Sequence, residues 1–415
     1  MLKEKLRMLT NAKKIHACFS AFAALKNDNT VVAWGSGTTG GDCTEVQSGL
    51  YDVNVIIPSS ESFAALRYDG TVVTWGNSKA GGDSSSVQGQ LSDVKAIFST
   101  QTAFAAIKGD GSVVTWGWPF AGGQSSSVQE ELFNIVNIYS NNGTFAAIRE
   151  DGKVITWGNL YTGSDSSTVQ ENLINVKNIY SSVYAFAALR HDGVVITWGA
   201  SDGGGDSSAV VERLNNIKSI TPSRNAFAAL REDGTVVTWG NASIGGDSSA
   251  VQDKLNNIQA VYSSKISLAF AALKNDGSVV TWGDPLVGGD CSQVESLLTN
   301  VVDIASNDMG FAALTENGTV VAWGYASPPE EIQTQLVNVN SVIAGFNRSF
   351  AAIKEDGSVV TWGWEGGDSS SVQSELYNII DIKSNSGAFA ALREDGNIIT
   401  WGVPDKGGDG GISLL

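Results

Sequence analysis

The 415-residue chain holds two His, three Cys and seven Pro, and its 26 Lys and Arg are outnumbered by 43 Asp and Glu. Each scarcity excludes something. His16 and His191 lie far apart, so neither a Ser/His/Asp nor a Cys/His arrangement can be assembled, and no metal-ligand spacing exists. The sequence therefore predicts no enzyme, no cofactor and no metal. Cys18, Cys43 and Cys291 are odd in number and irregular in spacing. Free thiols and a reducing, cytoplasmic location are the expectation. A net charge of −17 argues against phosphate-backbone binding, which needs clustered cations, so no nucleic-acid partner is expected. No apolar run reaches the roughly 20 residues of a membrane-spanning helix, and no membrane partner is expected. Lys3, Lys5, Arg7, Lys13 and Lys14 precede an apolar Ile15–Leu25, which imitates an export signal. A repeat gives this stretch a better account.

That repeat is what the chain has in abundance. Ala103–Gly117 reads as a β-hairpin: an apolar run, an Asp-Gly turn at Asp110-Gly111, then Val113-Val114-Thr115 ending on Trp116-Gly117. Trp-Gly recurs at Trp34, Trp75, Trp116, Trp157, Trp198, Trp239, Trp282, Trp323, Trp362 and Trp401, in steps of 41, 41, 41, 41, 41, 43, 41, 39 and 39 residues. Ten copies at a fixed period predict stacked units that share one core, a single repeat domain over residues 1–415. Gly is plentiful, at 47 residues, as many tight turns require.

One copy shows the expected unit. Gly81-Gly82-Asp83-Ser84 opens a short helix with Asp83 as its N-cap, and Val87, Leu91 and Val94 form one helical stripe. Strand a follows over Val94–Ser99, strand b over Ala103–Lys108 and strand c over Ser112–Trp116. The paired alanines of strand b predict close approach of a neighbouring sheet. Strand c, apolar on both faces, predicts burial between layers, with its Trp in the core. Cys43 and Cys291 occupy the slot of Ser84, and Cys18 that of Thr100, as small-residue replacements. The aspartates after Gly-Gly read as helix caps, since a calcium site needs roughly six to eight oxygens. Gly-Gly without a phosphate-loop Lys is a weak anion signal.

Chain direction then places both variable segments at one end of the unit: the a–b link and the residues after Trp-Gly. The constant Asp-Gly turns lie at the other end. Such a division separates scaffold from function-bearing loops. The candidate partner-binding side chains are Trp118, Phe120, Tyr161, Tyr184, Tyr325 and Trp364, large rings in segments that do not repeat.

The run Val94–Gly117 resembles the repeat of the regulator of chromosome condensation family, and is similar also to the type II β-lactamase-inhibitor protein of the same superfamily. The resemblance covers nearly the whole chain. It implies a mainly-β, β-propeller-like repeat fold that binds partners through loops on one face. The chain departs from that pattern where small residues such as Ala103 replace a His, and where Gly-Gly-Asp follows Trp-Gly. A closed ring is favoured over an open superhelical array, because the N-terminal helix expected at Leu2–Leu9 supplies what the C-terminal Gly407–Gly411 lacks. The expected function is a monomeric, non-enzymatic scaffold for a protein partner. A carbohydrate-binding lectin and an effector or toxin component stay open as alternatives, with guanine-nucleotide exchange less favoured.

Overall fold

A computed structural model describes residues 9–264, 266–325, 327–346, 348–364 and 366–410. Thirty strands, β1 to β30 in chain order, pair as ten three-stranded antiparallel sheets of consecutive strands, the second strand central in each. The third sheet, β7 (Val94–Ser99), β8 (Ala103–Lys108) and β9 (Val113–Gly117), follows the sequence expectation, with strand c running one residue further, to Gly117. The chain divides into two compact units, Met1–Gly143 with Gly345–Leu415, and Thr144–Ala344.

Register explains the composition of strand b. Phe104 sits opposite Trp116, and Ala106 opposite Val114. The two rings stack at 5.2 Å. Phe104, Ala106 and Trp116 pack against Ala64 and Leu66 of the preceding sheet. In the other unit Phe270, Ala272 and Trp282 pack against Ala226 and Ala228. A methyl opposite a ring lets two sheets approach without a void, and dense packing makes that fit steep in energy. The tryptophans of the ten Trp-Gly pairs are buried in the core, as expected.

Gly-Gly has a packing role. A Cβ on Gly81, at φ +93°, would lie 2.5 Å from the Phe104 ring, and one on Gly82 would lie 2.5 Å from the Gly76 backbone. The Gly81 carbonyl accepts the Trp116 indole N–H at 3.0 Å. Each such bond ties one sheet to the segment that follows the sheet before it.

The expected helix is corrected. Ser85–Gln90 is a six-residue 3₁₀ turn, and Val94 already opens β7, after Asp93 turns the backbone at φ +56°. A left-handed residue ends the helical path, and too few residues remain to propagate an α-helix. Among the described residues the one α-helical turn is Glu330–Gln333, in the copy that lacks Gly-Gly-Asp. Asp83 still anchors the start, accepting the Ser85 N–H at 2.9 Å. Glutamine completes the lock: Gln88 Nε2 donates to the Val72 carbonyl at 3.1 Å while its Oε1 accepts from Ser84 at 2.9 Å.

At the turn end, Gly111 takes φ +76°. The Ile135 N–H of the next copy donates to its carbonyl at 2.9 Å, just after Asn134 at φ +50°. The same bond joins the outermost copies. Ala12 opens β1 (Ala12–Ala17), and its N–H donates at 2.9 Å to Gly396, in the turn between β29 (Ala388–Arg393) and β30 (Ile398–Gly402). Phe22 and Trp34 of the first sheet pack with Ala388, Ala390 and Leu392 of the last. Ile398 N–H donates to the Leu9 carbonyl at 2.9 Å. The rest of the helix expected at Leu2–Leu9 lies outside the described residues.

Candidate partner-binding end

Both variable segments of a copy meet at one end, as the chain direction requires. Trp118 N–H donates to the Thr102 carbonyl at 2.8 Å, joining the segment after Trp-Gly to the a–b link. In the second unit Ala200 to Tyr184, at 3.0 Å, and Tyr325 to Met309, at 2.9 Å, do the same. The a–b links are also tied to one another, which the sequence reading missed. Phe19 N–H donates to Ser60, Ser60 to Gln101 and Gln101 to Asn142, at 2.8, 2.9 and 3.1 Å. In the second unit Val183 donates to Arg224, and Arg224 to Ser267, both at 3.1 Å. The links thus hold a fixed backbone while their side chains vary. A fixed backbone spares the cost of ordering the loop on binding.

The sequence-selected aromatics separate into exposed and half-buried. Phe120, Tyr161 and Trp364 are 72%, 85% and 67% exposed, and Trp118 and Tyr325 are 43% and 50%. Tyr184 is half-buried, beside Gly203, where a Cβ would lie 2.8 Å from its own Cβ. Trp118 and Phe120 come together at 6.2 Å between ring centroids. Trp364 carries the Arg348 guanidinium 5.2 Å from its ring centre. Tyr161, Tyr184 and Tyr325 lie in different copies of the second unit: after β12 (Val154–Gly158), between β13 (Val176–Ser181) and β14 (Ala185–Arg190), and after β24 (Val320–Gly324). The sequence reading missed Phe19 and Phe346, exposed link residues whose rings meet edge-on at 6.5 Å. It also missed Leu160, exposed beside Tyr161. An apolar residue in a segment that otherwise varies was the available signal. Ala326 and Glu365 of the variable turns, and Lys265 and Asn347 of the links, lie outside the described residues.

Charge differs between the two ends. At the turn end, carboxylates meet cations two residues upstream: Arg67 with Asp69 at 3.4 Å, Arg190 with Asp192 at 2.7 Å and Arg393 with Asp395 at 2.6 Å. The Arg149 hydrogen bond lowers the Asp151 carboxyl to about 2. Above the loops, the backbone N–H of Ser85 and that of Ser208 hold Asp83 and Asp206 below the usual carboxylate range. Among the described residues no ion pair joins Asp83, Asp165, Asp206 or Asp247 to a Lys or Arg.

Cys18, Cys43 and Cys291 are free and buried, and burial pushes the Cys43 thiol up to about 11, which suppresses the nucleophilic thiolate. Cys18 Sγ donates to the Thr39 carbonyl as Thr100 Oγ1 donates to Ala121, the replacement expected. Among the described residues no three His, Cys, Asp or Glu side chains gather to hold a metal ion. No described helix is long and apolar enough to cross a membrane.

No protein-family model and no curated protein matches the chain. Solved structures similar to it include yeast RCC1 (Prp20) bound to Kap60, at 15% identity over 95% of this chain and 93% of that one, with a TM-score of 0.38. The CRINKLY WD40 ectodomain of the Arabidopsis thaliana receptor kinase ACR4 matches at 14% over 63% and 92%, TM-score 0.34. The computationally designed Ika8 protein matches at 13% over 85% and 96%, TM-score 0.35. Similarity at this level assigns neither a partner nor an activity.

Proposed function

We propose that the chain is a non-enzymatic scaffold that binds a protein partner through the variable side chains at its loop-bearing end. The observation that carries this reading is the exposed Trp118–Phe120 pair on a hydrogen-bonded frame. Large exposed rings on a rigid support are the usual anchors of protein interfaces. Tyr161, Tyr325 and Trp364 extend the set, and Tyr184 contributes its accessible edge. The finer fold reading is one repeat domain over residues 1–415 closed as a ring. It is supported by the packing of the first sheet on the last. A monomer in the cytoplasm fits three free, buried thiols.

The test is affinity capture from the host extract, with wild type beside Phe120→Ala, Tyr161→Ala and Trp364→Ala. Loss of capture at unchanged melting temperature supports the proposal. Lowered melting with capture intact overturns it and makes these rings packing residues.

A further inference from the structure

The first and last sheets, both in one compact unit, meet at a seam unlike the joint that follows it in the chain. Between consecutive sheets the chain itself runs on from one to the next. Across the seam, packing and hydrogen bonds join the described residues: Phe22 and Trp34 lie with Ala388 and Ala390, and Ser386 N–H donates to the Phe19 carbonyl at 3.0 Å. The contact copies the next joint, where Phe63 and Trp75 lie with Ala21 and Ala23. It lacks that joint's hook. Trp75 donates its indole N–H to Gly40 at 3.0 Å, while the buried Trp34 N–H meets no acceptor among the described residues.

The first strands of the sheets differ too. In β4 (Val53–Pro58), Val55 and Ile57 stand opposite Leu66 and Ala64, and both pack on the core around Phe104 of the next sheet. Lys14 and His16 hold these register positions in β1, opposite Leu25 and Ala23. Lys383 holds the position of His16 in β28 (Ile379–Ser384), opposite Ala390. His16 Nε2 is buried and has no hydrogen-bond partner among the described residues. Burial, then Lys14 and Lys383, hold its imidazole down at about 4, so positive charge reaches it from both sheets. Asp381, 2.9 Å from Lys383, offsets part of that charge. The seam thus combines the packing of the repeat with an unmet indole, an unmet imidazole nitrogen and like charges from its two sides, each of which weakens it.

We propose that this seam is an exchangeable joint, at which the last sheet of one chain takes the first sheet of a second copy. The two faces match whether one chain or two supply them, because the contacts are the same, which is the logic of domain swapping. Within one chain the faces are held at high effective concentration, so the resting protein stays monomeric. Loosening the seam frees both faces, and in concentrated solution another chain fills them. The contact is heterologous, so exchange builds head-to-tail dimers and longer arrays. Joints between consecutive sheets do not exchange, since the chain keeps their two faces together.

The test holds the full chain, dilute and concentrated, in urea just below its unfolding transition, returns it to buffer and reads its mass by gel filtration with light scattering. Oligomers that grow with concentration, and revert when held dilute in the same urea, are expected. Lys14→Val with His16→Ile gives the seam the residues of the second copy and should cut the oligomer fraction about fivefold. Lys383→Gln, from the other side, should act in the same direction, and carries the comparison if the first variant fails to fold. Val55→Lys with Ile57→His moves the same charges to a joint that the chain bridges. It should lower the melting temperature without adding oligomer. Three outcomes overturn the proposal: monomer at every concentration, an unchanged oligomer fraction in the folded seam variants, or an equal rise of oligomer in Val55→Lys with Ile57→His, which would mark general aggregation of loosened protein.

Discussion

The two ends of each copy are built from the same strands and obey different rules. Within the hairpins, Phe and Trp stand opposite each other in all ten, and their rings stack at 5.1–5.3 Å. No hairpin gains or loses a residue between them. The departures from the 41-residue period fall elsewhere: in the link Ser263–Leu268, in the link before Phe350 and in the segments that follow Trp323 and Trp362. The turn end pairs many of its aspartates with arginine, and the loop end leaves Asp83, Asp165, Asp206 and Asp247 to backbone donors. The difference teaches that stacking constrains the hairpins and their turns, while the links and the segments beyond Trp-Gly are free to change length, charge and apolar surface.

The comparison would break most sharply if the frame tolerated damage. Phe227→Ala empties the space of a ring packed on alanines, Ala185 and Ala187 of the sheet before it. It should lower stability by about 3–5 kcal/mol in urea unfolding, and a loss near zero would show that the sheets do not depend on ring packing. Gly111→Val comes next. It forces a β-branched residue to φ +76°, with its Cβ 2.8 Å from Asn134 Cα. A cost of about 2–3 kcal/mol is expected. Phe120→Ala at the loop end should stay within about 0.5 kcal/mol of wild type in the same assay, and a larger loss would erase the distinction between the ends.

Acid gives the smallest and most selective effects. His16 is pressed down to about 4 by burial, then by Lys14 and Lys383, so the fold favours its neutral form. The unfolded chain takes the proton first, and stability should fall between about pH 6.5 and 4. Lys383 itself pairs with Asp381 at 2.9 Å. His16→Gln should flatten this window in a melting-temperature series. Asp151 acts lower. Its carboxyl is depressed, so its contribution is present above about pH 4 and disappears as pH falls towards 2. Asp151→Asn should remove that step alone.

Much of the frame was legible because ten copies average out the ambiguity of any single one. Strands a, b and c, the Asp-Gly turn and the cysteine replacements stand where the repeat put them. The helix did not, because Val87, Leu91 and Val94 keep a helical spacing across a left-handed Asp93. The recurrence of Asn or Asp at that position, as in Asp93, Asn134 and Asn175, was the missed sign. So was the glutamine four residues after serine, which locks the turn onto strand c. The candidate aromatics were legible only as exceptions. Nothing in a residue that fails to repeat tells which neighbours it will meet, and Tyr184 turned out half-buried while Tyr161 did not.

The indole hook has a consequence for how many copies such a chain can hold. Trp75, Trp116, Trp239 and Trp323 each donate to a glycine carbonyl supplied by the copy before. Trp34 has Gly407 against its ring, yet its N–H finds no acceptor among the described residues. Each copy therefore arrives carrying one donor for its predecessor and one acceptor for its successor. Duplicating or deleting a whole copy adds or removes one such donor together with one such acceptor, wherever in the chain it happens. The number ten is written in no single copy, and gene duplication changes it without unbalancing the hooks.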